Sequence, residues 1–336
     1  MRIAINGFGR IGRNFLRTIM LDKHARSVCQ VEAINIGPAP LESTAYLFKH
    51  DTMLGTYPGS VVLEETTLIV DDQRIAVLAA NDPEQLPWIR MGIDWVVEAS
   101  GKFTQRDQAQ KHLDAGAHYV LITAPAHDED ATIIPGINDH DFNKDKHRII
   151  SLGSCTTNAF VPLLKVLDDS FSIINGFMTT IHAYTNSQVL LDVAVKDLRE
   201  SRAAALNIIP TSTGASKTLG KVLASLNGKI KSRAIRVPVG KVSLIDLVVN
   251  TKRDLSAESI NKVLNNAAQG DLKGIIGMST EPLVSSDYSG SPYSVTIDTL
   301  LTDAHQTMAH VVGWYDNEWG YSMRLKDFLV RVAKSG

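Results

Sequence analysis

The chain has 336 residues, 44% hydrophobic and 21% charged, which is apolar material enough for roughly two domains with cores of their own. A net charge of -2 gives no electrostatic reason to expect nucleic acid or an anionic membrane as the main partner. The two cysteines, Cys29 and Cys155, form no Cys-x-x-Cys pair, which excludes a disulfide framework and a cysteine zinc site. No apolar stretch reaches the length of a signal peptide or a membrane span, so a soluble, cytoplasmic protein without a bound metal is expected.

In chain order, the first half alternates short apolar strands with helical patterns. Strands are predicted at Arg2–Asn6, Gln30–Asn35, Asp94–Ala99 and Tyr119–Thr123, and helices at Ile11–Leu21, Leu41–Lys49 and Asp107–Ala115. Such alternation with short connections is the pattern of a parallel sheet wrapped by helices. After about residue 150 the texture changes to long β stretches: Gly176–His182, Ala234–Val237, Val242–Thr251, Ser294–Leu300 and Met308–Asp316. Helices are predicted at Cys155–Leu167, Gly214–Leu226, Ser256–Ala268 and Glu318–Lys334, suggesting a mixed or antiparallel sheet that carries the chemistry. The basic run Lys229, Lys231, Arg233 and Arg236 alternates with Ile and Ala as a solvated strand face would.

Gly7-Phe8-Gly9-Arg10-Ile11-Gly12 is a G-x-G-x-x-G directly between the first strand and the first helix. Gly7 permits the tight turn, Gly9 lets the backbone approach a pyrophosphate, and Gly12 allows close helix–strand packing. The helix N-terminus then offers free N–H groups and a positive dipole end. In that context the motif predicts dinucleotide binding. The carboxylate that usually follows the second strand and takes the ribose hydroxyls is absent: the chain reads Asn35-Ile36-Gly37-Pro38, and the next acid is Glu42. Its loss relaxes discrimination against the extra phosphate of NADP, although no adjacent Arg is present to bind that phosphate.

Cys155 lies in Ser154-Cys155-Thr156-Thr157-Asn158, where a β-like segment becomes a helix. A helix N-terminus favours a thiolate, and its N–H groups can stabilise an oxyanion on an attacked carbonyl. His182 ends a long β stretch, from which an imidazole can take the thiol proton and later act as acid–base catalyst.

The glycine motif together with Ser-Cys-Thr-Thr-Asn at 154–158, Thr-Ile-His-Ala-Tyr-Thr at 180–185, Pro-Thr-Ser-Thr-Gly-Ala at 210–215 and Trp-Tyr-Asp-Asn-Glu-Trp-Gly-Tyr-Ser at 314–322 resembles the phosphorylating glyceraldehyde-3-phosphate dehydrogenase family along the whole chain. The resemblance implies an α/β fold: an N-terminal Rossmann dinucleotide-binding domain, residues 1–153 joined by the C-terminal helix 317–336, and an α+β catalytic domain, residues 154–316. It implies a homotetramer that oxidises glyceraldehyde 3-phosphate with inorganic phosphate and NAD or NADP to 1,3-bisphosphoglycerate, as in glycolysis or gluconeogenesis. Erythrose-4-phosphate dehydrogenase is the alternative. By the same resemblance Cys155 is the nucleophile and His182 its base. Arg10 and Ile11 line the pyrophosphate site, Thr123 runs along the cofactor and Asn317 holds the nicotinamide carboxamide. Thr185 and Arg236 match positions for the substrate's phosphate, and Ser154, Thr156, Thr213 and Gly214 match positions around the attacking phosphate.

Three departures stand out. Ile36 occupies the place of the usual ribose-binding Asp, and Val193-Ala194 that of a Leu-Pro pair common in NAD-specific members; both changes resemble NADP-accepting members. Val239-Gly240-Lys241 replaces the usual Thr-Pro-Asn. Two decoys fail: Asp139–Ile150 lacks the Gly and Glu of a calcium loop, and Gly214–Thr218 lacks the Gly before Lys of a phosphate-binding loop.

Overall fold

The computed structural model describes residues 1–334; Ser335 and Gly336, which the sequence reading counts with the closing helix, lie outside the described residues. The chain divides into two units: Met1–Pro135 with Asp139–Gly153 and the segment from Ser322 on, and Ser154–Tyr321 with Gly136–Asn138.

The first unit is built on a nine-stranded sheet. Arg2–Asn6 pairs in parallel with Gln30–Asn35 on one side and Trp95–Glu98 on the other. Tyr119–Ile122, Ile149–Ser151 and Ala131–Thr132 extend the parallel order beyond Trp95–Glu98. Strand order therefore reverses at Arg2–Asn6, and the reversal opens a crevice at the carboxyl ends of the strands. The helix Arg10–Met20 follows the glycine turn at once and buries Phe15, Leu16 and Ile19. Beyond Gln30–Asn35 the chain forms a meander of Val61–Glu64, Thr67–Val70 and Gln73–Leu78, which the sequence reading did not find. Its two turns place Glu65 and Asp71 at φ 49° and 54°, a left-handed conformation without glycine. From Ser322 the helix Trp319–Lys334 belongs to this unit: Phe328 meets Trp95 edge-on with ring centroids 5.8 Å apart, and Lys326 pairs with Asp22 at 2.7 Å.

The second unit carries an eight-stranded mixed sheet. Its centre is Ile173–Ala183, parallel to Ile230–Val237 and antiparallel to Ser243–Thr251, which in turn pairs with Met308–Tyr315. Lys229, Lys231 and Arg233 are exposed while Ile230 and Ala234 are buried, the solvated face expected of the basic run. The helix Cys155–Phe171 runs one turn further than expected and is buried along most of its length. The expected helix Gly214–Leu226 is instead Ala215–Val222 and a separate 3-10 turn Ala224–Leu226, broken where Leu223 leaves helical geometry at φ -121° and ψ 83°.

Candidate active site

In the first unit, the ends of the central strands and the glycine turn enclose a cavity of about 360 Å³. Gly7 sits at φ 95°, and a Cβ there would lie 2.4 Å from the Ser100 nitrogen; at Gly12 it would lie 2.2 Å from the Gly7 carbonyl oxygen. Both positions need glycine for packing. Gly9 lines the cavity, and a Cβ there would meet no atom within 4 Å, so the backbone itself is presented to a ligand. This cradle fits the pyrophosphate of a dinucleotide.

Gly7 and Gly9 line the cavity, whereas Arg10 turns its guanidinium to Asp51. Burial alone would raise the Asp51 carboxyl, but hydrogen bonds from Arg10 and from the Leu54 and Met53 N–H groups hold it below the ordinary carboxylate range. Ile11 packs at the helix start outside the lining, and Thr123 donates its hydroxyl to the Glu98 carbonyl at 3.0 Å. The lining also includes Asn6, Arg13, Asn35, Ser43, Ser100 and Lys102, which sequence reasoning missed. The readable signal was position: Asn6 and Asn35 end the two strands beside the order reversal. Ile36 lines the cavity too, and among the described residues none in the lining carries a carboxylate; Glu42 is not part of it.

In the second unit, Ser154 caps the helix Cys155–Phe171 by accepting from Thr157 N–H at 3.1 Å. That cap sets Cys155 at the first helical position, with Sγ 3.5 Å from His182 Nε2. His182 and Arg236 are direct register neighbours on parallel strands, which brings Arg236 Nη1 to 2.5 Å from His182 Nδ1 and 3.0 Å from the Ala183 oxygen. Nδ1 is itself 2.6 Å from that oxygen. A single ring proton decides the arrangement. With Nδ1–H donating to Ala183, the guanidinium shares the carbonyl and Nε2 turns a lone pair to the thiol. With Nδ1 accepting from Arg236, Nε2–H points at sulfur and holds a thiolate. Only the first tautomer can take the thiol proton; the second holds a thiolate already formed.

Burial first, and Arg236 second, depress the His182 pKa to about 3, so the ring is neutral at neutral pH. Burial pushes the Cys155 thiol up, against the lowering effects of Arg236 and of hydrogen bonds from Thr156. The thiolate-favouring helix terminus expected from sequence is present, but it does not win outright over burial. Cys155 keeps part of its surface open to solvent, whereas Cys29 is fully buried and its thiol is raised to about 11.

The anion-site candidates are tied into this framework. Thr156 shares a hydrogen bond of 3.0 Å with the Tyr315 hydroxyl, which also reaches Thr180 at 2.7 Å. Thr185 is held by Gln188, a partner the sequence reading missed, through its N–H at 2.9 Å. Thr213 accepts from Ala215 N–H, and Gly214 opens the following helix. Asn317 is buried and accepts from Ser243 Oγ at 3.2 Å, while the same Oγ accepts from Ala183 N–H next to His182. Lys241 gives its departure from the family pattern a physical meaning: its ammonium forms a buried ion pair of 2.8 Å with Asp316. Asp316 also accepts from the N–H groups of Gly290, Glu318 and Trp319, so the pair fixes the turn that carries Asn317.

Comparison with known proteins points to one family. Residues 1–106 match the family model described as glyceraldehyde 3-phosphate dehydrogenase, NAD binding domain, and residues 154–317 match its C-terminal domain. Glyceraldehyde-3-phosphate dehydrogenase 2 of Bacillus subtilis is 48% identical over 99% of this chain and 97% of its own length. The Mycobacterium avium and Geobacillus stearothermophilus glyceraldehyde-3-phosphate dehydrogenases are 48% and 45% identical, each over 100% of this chain and 99% of their own.

Proposed function

The chain belongs to the glyceraldehyde-3-phosphate dehydrogenase family, and within that family we propose that Cys155 is the nucleophile, His182 its acid–base partner and Arg236 the charge that tunes both. The reaction is the phosphorylating oxidation of glyceraldehyde 3-phosphate to 1,3-bisphosphoglycerate. Nothing in the geometry or in the relatives named above favours the erythrose-4-phosphate alternative.

His182 takes the Sγ proton, and the sulfur adds to the aldehyde carbon to give a hemithioacetal whose oxygen receives that proton. A bound nicotinamide dinucleotide supplies the hydride acceptor that the oxidation to a thioester requires. His182 then takes the hydroxyl proton of the hemithioacetal. Phosphate oxygen attacks the thioester carbon, and Cys155 leaves as thiolate. Ser154, Thr156, Thr213 and Gly214 receive the attacking phosphate in this reading, and Thr185 with Arg236 the phosphate of the substrate. Arg10, Ile11 and Thr123 serve the cofactor, and Asn317 holds its carboxamide. The observation that carries the reading is the Sγ to Nε2 distance of 3.5 Å at a helix N-terminus. Limiting iodoacetamide at neutral pH should label Cys155 ahead of Cys29 and abolish oxidation; preferential labelling of Cys29 overturns it.

Acceptance of NADP is part of the proposal. Ile36 borders a cavity whose described lining has no carboxylate but includes Arg13 and Lys102, so a 2′-phosphate meets no repelling charge. Ala194, the second departure, lies on an exposed segment. Assembly as a homotetramer is also proposed. Leu190, Leu198, Leu206 and Ile208 are all more than two-thirds exposed, an apolar surface suited to other copies of the chain. No helix among the described residues is long and apolar enough to cross a membrane, which is compatible with a cytoplasmic place in glycolysis.

A further inference from the structure

Beneath the cavity of the first unit lies a polar chain whose inner members, Trp88, His112 and Glu98, do not line it. Glu98 ends the strand Trp95–Glu98 with its carboxylate fully buried. Its Oε2 accepts from Asn6 Nδ2 at 2.5 Å and faces His112 Nε2 at 3.1 Å. Its Oε1 accepts from the Ser100 N–H at 2.8 Å and the Ser100 hydroxyl at 2.5 Å. On the far side, Trp88 Nε1 lies 3.1 Å from His112 Nδ1. An indole N–H can only donate, so Nδ1 is the acceptor and the ring hydrogen sits on Nε2, aimed at Glu98.

The directions propagate. Because Glu98 takes the Asn6 amide nitrogen, Asn6 must turn its oxygen the other way, where it accepts from Asn35 Nδ2 at 2.7 Å. Asn35 then has its own oxygen free to accept from Ala80 N–H at 2.9 Å. Asn6, Asn35, Ala80 and Ser100 line the cavity; Trp88, His112 and Glu98 do not.

We propose that Glu98 and His112 are positioning residues for dinucleotide binding: they fix which end of Asn6 and Asn35, and which rotamer of Ser100, the ligand meets. The proposal rests on the reading of this cavity as the dinucleotide site. A buried carboxylate costs stability unless every lone pair is used, and here both oxygens accept from groups that border the cavity. An apolar pair could fill the same volume but could not orient an amide.

Binding of NADP and of ADP-ribose is measured by calorimetry on the purified full chain, beside melting temperature. Glu98→Gln puts an amide N–H against one of these donors, so Asn6 or Ser100 must turn. Trp88→Phe releases the His112 tautomer without altering the cavity wall, and stands in if Glu98→Gln does not fold. Each variant is expected to bind both ligands about tenfold more weakly, with kcat at saturating cofactor unchanged. Nitrogen NMR of wild type should show His112 Nδ1 unprotonated. Variants that lose melting temperature but bind with wild-type affinity overturn the positioning role. Wild type that binds neither ligand overturns the reading of the cavity itself, and the proposal with it.

Discussion

Arg236 Nη1 stands 2.5 Å from His182 Nδ1 because the two residues are register neighbours on parallel strands. A permanent positive charge thus lies against the side of the ring opposite Cys155. It lowers both the imidazole and the thiol, which keeps the ring neutral and offsets part of what burial does to sulfur.

Arg236→Leu removes that charge, so both pKa values should rise. The pH midpoint for iodoacetamide alkylation of Cys155 should therefore move up. A midpoint that stays or falls would show that the guanidinium does not act on the thiol.

His182 also links folding to pH. Its folded pKa of about 3 lies below the ordinary value of 6.5, so its contribution to stability is fully present above 6.5. It is lost as pH falls toward 3, because the unfolded chain then binds a proton that the folded chain refuses. The shift corresponds to a contribution on the order of 5 kcal/mol. His182→Gln should therefore flatten the dependence of the urea midpoint on pH between 6.5 and 3; an unchanged slope contradicts this.

The Lys241–Asp316 pair should show the asymmetry of buried charges. Lys241→Met leaves the Asp316 carboxylate buried without its cation and should cost about 3–5 kcal/mol in urea unfolding. Adding Asp316→Asn should recover part of that loss. If the double variant is no better than the single, the cost has another origin.

The proposed acceptance of NADP rests on Ile36. Initial rates should be at least as high with NADP as with NAD, and Ile36→Asp should restore NAD preference by about 1–3 kcal/mol. Wild type that ignores NADP at saturating substrate would mean that other groups hold the ribose.

Much of the candidate site was legible because its signals are local. The glycine turn, the capped cysteine and the strand-terminal histidine each declare themselves within a few residues. The meander Val61–Leu78 was not legible, since Glu65 and Asp71 adopt left-handed turns that Asn-Gly normally signals. The break at Leu223 was hidden by a hydrophobic pattern that continues across it. The relay from Trp88 to Asn35 and the Lys241–Asp316 pair join residues far apart in the chain, and no sequence periodicity encodes such partners. The balance at Cys155 was misjudged because the helix N-terminus that favours a thiolate is legible locally, whereas the burial that pushes the thiol up is not.

The most direct test of the Cys155 thioester is a rapid-mixing measurement of reduced cofactor in phosphate-free buffer. In the proposed reading Ser154, Thr156, Thr213 and Gly214 receive one anion and Thr185 with Arg236 another, so phosphate and not water is the acceptor. Mixing with glyceraldehyde 3-phosphate should give a single burst stoichiometric with Cys155, then near-arrest. Added phosphate, or arsenate as another tetrahedral oxyanion, should start steady turnover. Thr213→Ala should raise the phosphate requirement and spare the burst, and Cys155→Ser should show neither phase. Rapid turnover without phosphate, or a full burst in Cys155→Ser, would contradict the thioester on Cys155.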